Sequence, residues 1–164
     1  FIETYLRTPF IVAIVLLIGS VLFIVVEKYF SKGRIHVEKV TSKQGIMIGI
    51  AQCLDFISGF SRSGATIMAG MIQDLTREAA ARFSFYLSLP IITLSGVKKL
   101  WDLSKTGLPQ GIGVELAIGT FISFLVGLLC IHFLLSYLKK HSLTIFAWYR
   151  IIIASLVFLS LMVL

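Results

Sequence analysis

Four long apolar segments dominate this chain, and they restrict its fold more than any other feature. They cover residues 10–26, 83–97, 116–135 and 144–164, with Arg150 the only Lys, Arg, Asp or Glu residue among them. Helices of this length cross or nearly cross the hydrocarbon layer of a bilayer, at about 1.5 Å of rise per residue. The pattern predicts an all-α, polytopic membrane protein with about four transmembrane helices. We expect residues 1–164 to form a single integral membrane domain.

Composition supports this class. Hydrophobic residues make up 57% of the chain and charged residues 14%, whereas a soluble domain carries about 25% charged residues. A soluble enzyme, a disordered chain and a nucleic-acid-binding protein are therefore excluded. The formal net charge of +7 fits basic loops that face an anionic cytoplasmic leaflet, and no nucleic-acid partner is expected.

The basic residues predict the orientation of the chain. With the four predicted helices in place, nine of them fall on one side of the membrane and four on the other. The first group is Lys28, Lys32, Arg34, Lys39, Lys43, Arg77, Arg82, Lys139 and Lys140, and the second is Arg7, Lys98, Lys99 and Lys105. The positive-inside rule makes the first side cytoplasmic. It places a predicted loop at residues 101–113 and the C-terminus outside.

Residues 44–75 differ from the four long segments. They are mildly apolar and are broken in the middle by the polar, glycine-containing run at residues 58–64. The flanks, residues 44–57 and 65–75, are each too short to span a bilayer. This pattern is typical of a re-entrant helix–loop–helix, whose irregular backbone is tolerated where it is buried in protein or lines a wet cavity.

Arg62 lies at the centre of this predicted hairpin. An arginine at the centre of a membrane helix costs about 2.5–3.5 kcal/mol on the translocon-insertion scale, so a specific role for Arg62 is expected. The hydroxyls of Ser61, Ser63 and Thr66 surround it, and Gly64 is expected to begin the second half-helix, whose free N–H groups attract anions. This combination predicts an oxyanion site suited to phosphate. The alternative is that Arg62 pairs with Asp55 or with a partner helix and only pins the hairpin.

The same residues carry a family resemblance. The run GFSRSGAT at residues 59–66 resembles the PGxSRSGxT signature of the bacterial undecaprenyl-diphosphate phosphatase family, also called the BacA or bacitracin-resistance family. Residues 50–53, 77–85 and 146–150 resemble other segments of that family, so the similarity runs from about residue 45 to the end. Two residues depart from the pattern: Ser58 stands where the family usually has Pro, and Asp55 where an apolar residue is usual.

The resemblance implies an activity and roles for residues. The family hydrolyses undecaprenyl diphosphate to the monophosphate and inorganic phosphate, which recycles the lipid carrier of peptidoglycan synthesis and confers bacitracin resistance. Arg62 would be catalytic, gripping the diphosphate, with Ser61, Ser63, Gly64 and Thr66 binding phosphoryl oxygens. Ser61 or Ser63 as nucleophile is a lesser alternative.

Three further residues are weaker candidates for the surroundings of the site. Gln52, Asp55 and Arg150 are candidates for hydrogen bonds around it. For Arg150, the residues alone favour a side chain that reaches back to the membrane interface.

The resemblance also implies a second sequence signature that is not found in these 164 residues. The family's other signature is a glutamate-rich segment with a Ser and a His, and we expect this chain to be the second part of a longer protein that contains it. The missing N-terminal half would complete an inverted repeat whose two hairpin tips meet near mid-membrane. A divalent cation, Mg²⁺ or Ca²⁺, is implied for the family, although no metal ligands are expected in this chain. A polyprenyl diphosphate substrate, a multi-pass location in the bacterial inner membrane and a possible homodimer follow from the same resemblance.

Two other functions are compatible with the sequence. A broken helix inside an inverted repeat also suits a carrier of lipid phosphates or other anions. An inactive fragment is the third alternative. Release of phosphate by protein purified in detergent distinguishes the enzyme from the carrier, because no second compartment exists there.

Overall fold

The computed structural model describes residues 8–107 and 112–163. For Ile112 and Val163 it describes the backbone alone. Within these ranges the chain forms six α-helices and two short 3₁₀ helices, Val37–Lys39 and Gln52–Phe56. The α-helices are α1 (Pro9–Phe30), α2 (Ser42–Ala51), α3 (Arg62–Ile72), α4 (Arg77–Thr106), α5 (Ile112–Leu138) and α6 (Thr144–Val163). The only β-type pairing in the described ranges is an isolated bridge between Ile35 and Leu75. The prediction of an all-α protein is confirmed.

Four of the six helices are long and apolar enough to cross a membrane. They are the helices at Pro9–Phe30, Arg77–Thr106, Gly113–Leu138 and Thr144–Met162. Many of their large apolar side chains point outward, including Phe121, Phe124 and Leu129 on α5, and lipid is the environment that suits such a surface. The predicted four spans of a multi-pass membrane protein are therefore confirmed.

One predicted boundary is wrong. A loop is predicted at residues 101–113, whereas α4 continues to Thr106 and α5 begins at Ile112. The six residues from Trp101 to Thr106 contain no Gly or Pro, so nothing ends the helix before Gly107. Gly107 has φ 76°, and its N–H bonds to the Leu103 carbonyl at 2.9 Å, which closes the helix with a left-handed residue.

The short helices α2 and α3 form the predicted helix–loop–helix. Its open end is braced by two amides, because Gln44 donates to the Gln73 carbonyl at 3.1 Å and Gln73 donates to the Gln44 carbonyl at 3.4 Å. The 11 residues of α3 rise about 16 Å, which is roughly half of a 30 Å hydrocarbon layer. The hairpin therefore has the height that a re-entrant element needs, while its depth in a membrane and the inverted repeat stay predictions.

Helices α1 and α6 run antiparallel and support the hairpin from one side. Phe10 contacts Phe158 near one end of the pair, with ring centres 5.6 Å apart, and Gly19 lies against Arg150 further along. On the other side, α3 packs closely on α4, since a Cβ on Gly70 would lie 2.9 Å from the Ala80 Cβ. The hairpin is thereby packed between the α1–α6 pair on one side and α4 on the other.

An ion-pair cluster joins several helix ends at the base of the hairpin. The buried Glu27 carboxylate accepts from Arg77 Nε at 2.7 Å and from the Leu143 N–H at 3.4 Å. On the first turns of α4, Glu78 bonds to Arg82 Nε at 3.0 Å and lies 3.7 Å from Lys139 Nζ. The ends of α1 and α5 and the starts of α4 and α6 thus lie on one side, as the predicted orientation requires.

This arrangement gives a testable topology. In a background without Cys53 and Cys130, single cysteines at Ser31 and Ser104 are expected to react with an impermeant thiol reagent from opposite sides of intact cells. Ser104, near the end of α4, is expected to label from outside and Ser31, just past α1, only after permeabilisation. Labelling of both from outside would contradict the orientation.

Candidate functional site

The hairpin tip owes its shape to Ser61, which caps α3. Ser61 has φ 76° and ψ 110°, an uncommon backbone conformation for a residue other than glycine, and its Oγ accepts from the Gly64 N–H at 3.3 Å. The prediction that this half-helix begins at Gly64 is wrong. Because the capping residue is Ser61, the helix begins at Arg62.

The start of α3 presents free hydrogen-bond donors. The backbone N–H groups of Ser61, Arg62 and Ser63 have no acceptor within the described ranges. The hydroxyls of Ser61 and Ser63 lie 3.5 Å apart beside them. Free N–H groups at the positive end of a helix dipole attract anions, and hydroxyls add further donors.

The Arg62 side chain is half-buried and makes no hydrogen bond or ion pair with any residue in the described part of the chain. Its predicted alternative partner, Asp55, lies exposed in a short 3₁₀ helix at Gln52–Phe56, and no ion pair joins the two in the structure. A guanidinium with no such partner beside a helix N-terminus is available to a ligand.

The Thr66 side chain turns inward, and the Gln52 side chain is not bonded to the tip. The Thr66 hydroxyl is buried at the α3–α4 interface, 2.7 Å from the Ser84 hydroxyl and 3.1 Å from the carbonyl of Arg62. The Gln52 amide makes no side-chain hydrogen bond with any described residue. Ser61, Ser63 and Gly64 are joined by hydrogen bonds at the start of α3, where Arg62 is the first helical residue. Thr66 lies behind them in the packing of α3 on α4.

Arg150 is buried, and the expectation that it reaches the membrane interface is wrong. Its two terminal nitrogens donate to the carbonyls of Gly59 and Phe60, at 2.9 and 3.2 Å, and its side chain is 8% exposed. The guanidinium also lies 5.9 Å from the centre of the Phe23 ring. A residue of α6 therefore holds the tip of the hairpin, a long-range contact that no local sequence pattern indicates.

An open groove of about 340 Å³ lies against the tip, between α1, α3, α5 and α6. Its polar part consists of Ser61, Ser63, Gly64 and Arg150. The rest of its wall is made of apolar and aromatic side chains: Leu16, Phe23, Ile67, Leu134, Leu143, Phe146 and Tyr149. Phe146 and Tyr149 belong to the run at residues 146–150 that resembles the family, and no sequence signal indicates the other five. A groove with hydroxyls at one place and apolar walls elsewhere suits an amphiphile.

The sequence of the chain matches a known protein family. A family model described as bacitracin resistance protein BacA matches residues 1–156. The chain belongs to the BacA family. The SRSG tip at residues 61–64 and the helix that clamps it are thus the candidate site of a BacA-family chain.

Several curated relatives carry the name undecaprenyl-diphosphatase. One from Acinetobacter baumannii strain ATCC 17978 is 38% identical over 99% of this chain and 60% of its own length. One from Geotalea daltonii is 41% identical over 94% of the chain and 57% of the relative. One from Corynebacterium glutamicum ATCC 13032 is 42% identical over 98% and 55%, respectively. The chain therefore spans 55–60% of the length of these relatives.

The described residues also show which metal ligands the tip offers. No three His, Cys, Asp or Glu side chains lie together in the described ranges, and the tip offers hydroxyls, N–H groups and arginines. Divalent Mg²⁺ and Ca²⁺ require several oxygen ligands, usually with carboxylates among them. The described residues of this chain do not fit a divalent-cation site, so no chemical step is assigned to a metal here.

Proposed function

We propose that this chain carries the diphosphate-binding site of an undecaprenyl-diphosphate phosphatase. The observation that carries the proposal is the Arg62 guanidinium, with no bonding partner in the described chain, at the N-terminus of α3. The reaction would recycle the lipid carrier of peptidoglycan synthesis and confer bacitracin resistance. The BacA family and the names of the relatives support this substrate.

Arg62 would bind the terminal phosphate of the substrate. A guanidinium offers a planar pair of donors that matches two phosphate oxygens, and its charge is permanent. As a water oxygen bonds to the terminal phosphorus, the bridging P–O bond breaks and its electrons leave with the lipid monophosphate. Arg62, the hydroxyls of Ser61 and Ser63 and the free N–H groups of α3 would stabilise the charge that accumulates on the phosphoryl oxygens.

The groove favours a lipid over a free inorganic anion. Its walls beside Ser61 and Ser63 are mainly apolar, and Phe146 and Tyr149 also line a neighbouring apolar hollow with Phe133, Tyr137 and Ile145. An amphiphile with its diphosphate at the tip would place its first isoprene units against these walls. The carrier of lipid phosphates stays the second candidate, because the same groove would serve it.

We propose that residues outside this chain supply the general base and any ligands of the Mg²⁺ or Ca²⁺ that the family resemblance implies. Ser61 or Ser63 as nucleophile stays the lesser alternative. The inner-membrane location and a homodimer are further proposals.

Phosphate release in detergent tests the proposed reaction. The assay uses this chain expressed together with the part of the Acinetobacter baumannii relative that it does not match, hereafter the reconstituted protein. We expect the reconstituted protein to release phosphate from a polyprenyl diphosphate, and this chain alone to release none above background. Release by the chain alone that Arg62→Ala abolishes would place the nucleophile at Ser61 or Ser63. Diphosphate binding without release in any preparation would favour the carrier.

The position of the lipid chain in the groove can be tested separately. Phe146→Ala removes an aromatic wall, and a loss of about 1.4 kcal/mol of apolar contact corresponds to a tenfold weaker Kd. We expect about this weakening for farnesyl diphosphate and no change for inorganic pyrophosphate, both measured by titration calorimetry in detergent. Phe124→Ala is the matched control, because Phe124 is exposed on α5 outside the groove. Equal weakening of both ligands would contradict the proposed position of the lipid chain.

A further inference from the structure

Arg150 lies in α6, yet its contacts are with the hairpin tip. We infer that Arg150 is a positioning residue, which sets the backbone of the tip and thereby the direction of the donors at the start of α3. The effect on diphosphate binding rests on the proposed function. The effect on the backbone of the tip rests on geometry alone. The terminal nitrogens of Arg150 are both engaged by carbonyls of the tip, so it differs from Arg62, whose guanidinium has no partner in the described chain.

The hydrogen bond to the Phe60 carbonyl fixes a peptide plane. The described chain contains no cis peptide bond, so the C=O of Phe60 and the N–H of Ser61 point in opposite directions across one planar unit. When Arg150 Nη1 holds this carbonyl at 3.2 Å, it also sets the direction of the Ser61 N–H. That N–H is one of the free donors of the site, so Arg150 orients a donor that it does not touch.

The tip needs such a clamp because its backbone is unusual. Ser61 has φ 76° and Gly59 has φ 97°, so two left-handed residues occur within three positions. A residue other than glycine in a sparsely populated conformation costs about 1–3 kcal/mol and persists only where its surroundings fix it. The two carbonyls that Arg150 binds belong to the residues directly before Ser61, which is where a clamp acts most directly.

The Arg150 guanidinium is buried and closely packed, although its Nε has no hydrogen-bond partner in the described chain. A Cβ on Gly19 would lie 2.5 Å from Arg150 Nη2, so a side chain at position 19 would shift the guanidinium from this position. The ring of Phe23 lies against the same group. The residues of the described chain that bond to Arg150 provide carbonyls and no carboxylate, so its charge adds to the positive potential at the tip.

Three variants separate positioning from simple packing. Arg150→Lys keeps the charge and loses the fork that reaches two carbonyls. Gly19→Ala keeps Arg150 and displaces its guanidinium. It therefore tests the same contact if the Arg150 variants fail to fold. Ala154→Gly is the control, because Ala154 is fully buried in α6 and has no contact with the tip among the hydrogen bonds of the described chain.

The experiment combines hydrogen–deuterium exchange and binding, on this chain purified in detergent. For Arg150→Lys and Gly19→Ala, we expect exchange to rise at least tenfold at residues 58–64 while α1 and α6 keep their protection. The Kd for farnesyl diphosphate is expected to weaken about tenfold, and Ala154→Gly is expected to change neither value at the tip. Unchanged exchange at residues 58–64, or an equal rise along α1 and α6, would overturn the inference. Faster exchange at the tip with no diphosphate binding by the unaltered chain would refute the proposed function and leave the positioning role standing.

Discussion

Arg62→Ala is expected to lower phosphate release by the reconstituted protein at least 100-fold while the protein still folds. The removal of one preorganised donor to a developing oxyanion typically costs a factor of about 10²–10³ in kcat, and Arg62 supplies a charge as well. The fold is expected to survive because the guanidinium makes no hydrogen bond or ion pair within the described chain. Steady-state phosphate release and a thermal unfolding curve in detergent measure the two effects.

The conservative variant sharpens this prediction. Arg62→Lys keeps a positive charge but loses the planar pair of donors, so it is expected to retain less than a tenth of the activity. Arg34→Ala is the matched control, because Arg34 is an exposed arginine on the connection after α1 and is expected to keep normal release. Near-normal turnover by the lysine variant would show that charge alone suffices.

Gly59→Ala is expected to produce the largest loss of stability at the tip. Gly59 has φ 97°, and a Cβ there would lie 2.9 Å from the backbone carbonyl oxygen of Val12. The left-handed conformation costs about 1–2 kcal/mol for a residue with a Cβ. The overlap with a backbone atom, which cannot rotate away, adds about 1–3 kcal/mol. A lower unfolding temperature and weaker diphosphate binding are expected together, because the carbonyl of Gly59 is also a contact of Arg150.

Two glycines serve as graded controls for this variant. Gly107 has φ 76°, and no described residue lies within 4 Å of its would-be Cβ, so Gly107→Ala is expected to show only the backbone cost. Gly49 has neither a positive φ nor a neighbour within 4 Å among the described residues, and Gly49→Ala is expected to be neutral or slightly stabilising in α2. A Gly59→Ala protein as stable as Gly107→Ala would mean that the tip moves freely away from α1.

The sequence predicts the spans well because a bilayer imposes one strong rule on them. Uninterrupted apolar segments must be helices in lipid, so α1, α5 and α6 follow directly from their composition. The end of α4 is harder to predict, since a helix can run on past the membrane through residues such as Trp101 and Lys105 until Gly107 stops it. The position of the broken element, residues 44–75, also followed from local sequence.

The details of the site depend on contacts that sequence patterns do not reveal. The SRSG run predicts an anion site at Ser61, Arg62 and Ser63. The structure brings the Ser61 and Ser63 hydroxyls together at the start of α3, whereas Arg62 is the first residue of that helix and is not among the residues that line the groove. That Thr66 turns inward to Ser84 is decided by the packing of α3 on α4. That Arg150 is buried is decided by a match with Gly59 and Phe60, about 90 residues away in sequence. Their roles in catalysis stay predictions.

The most direct test of the central claim is the binding of farnesyl diphosphate to this chain and to its Arg62→Ala variant. Hydrogen bonds from a charged donor contribute about 1.5–3 kcal/mol each, so the loss of Arg62 is expected to weaken the Kd about 10–100-fold. Titration calorimetry in detergent measures both values, with Arg34→Ala as the control of equal charge. We expect the control to bind like the unaltered chain and Arg62→Ala to bind far more weakly. Equal binding by all three would contradict the assignment of the diphosphate to the tip of this hairpin.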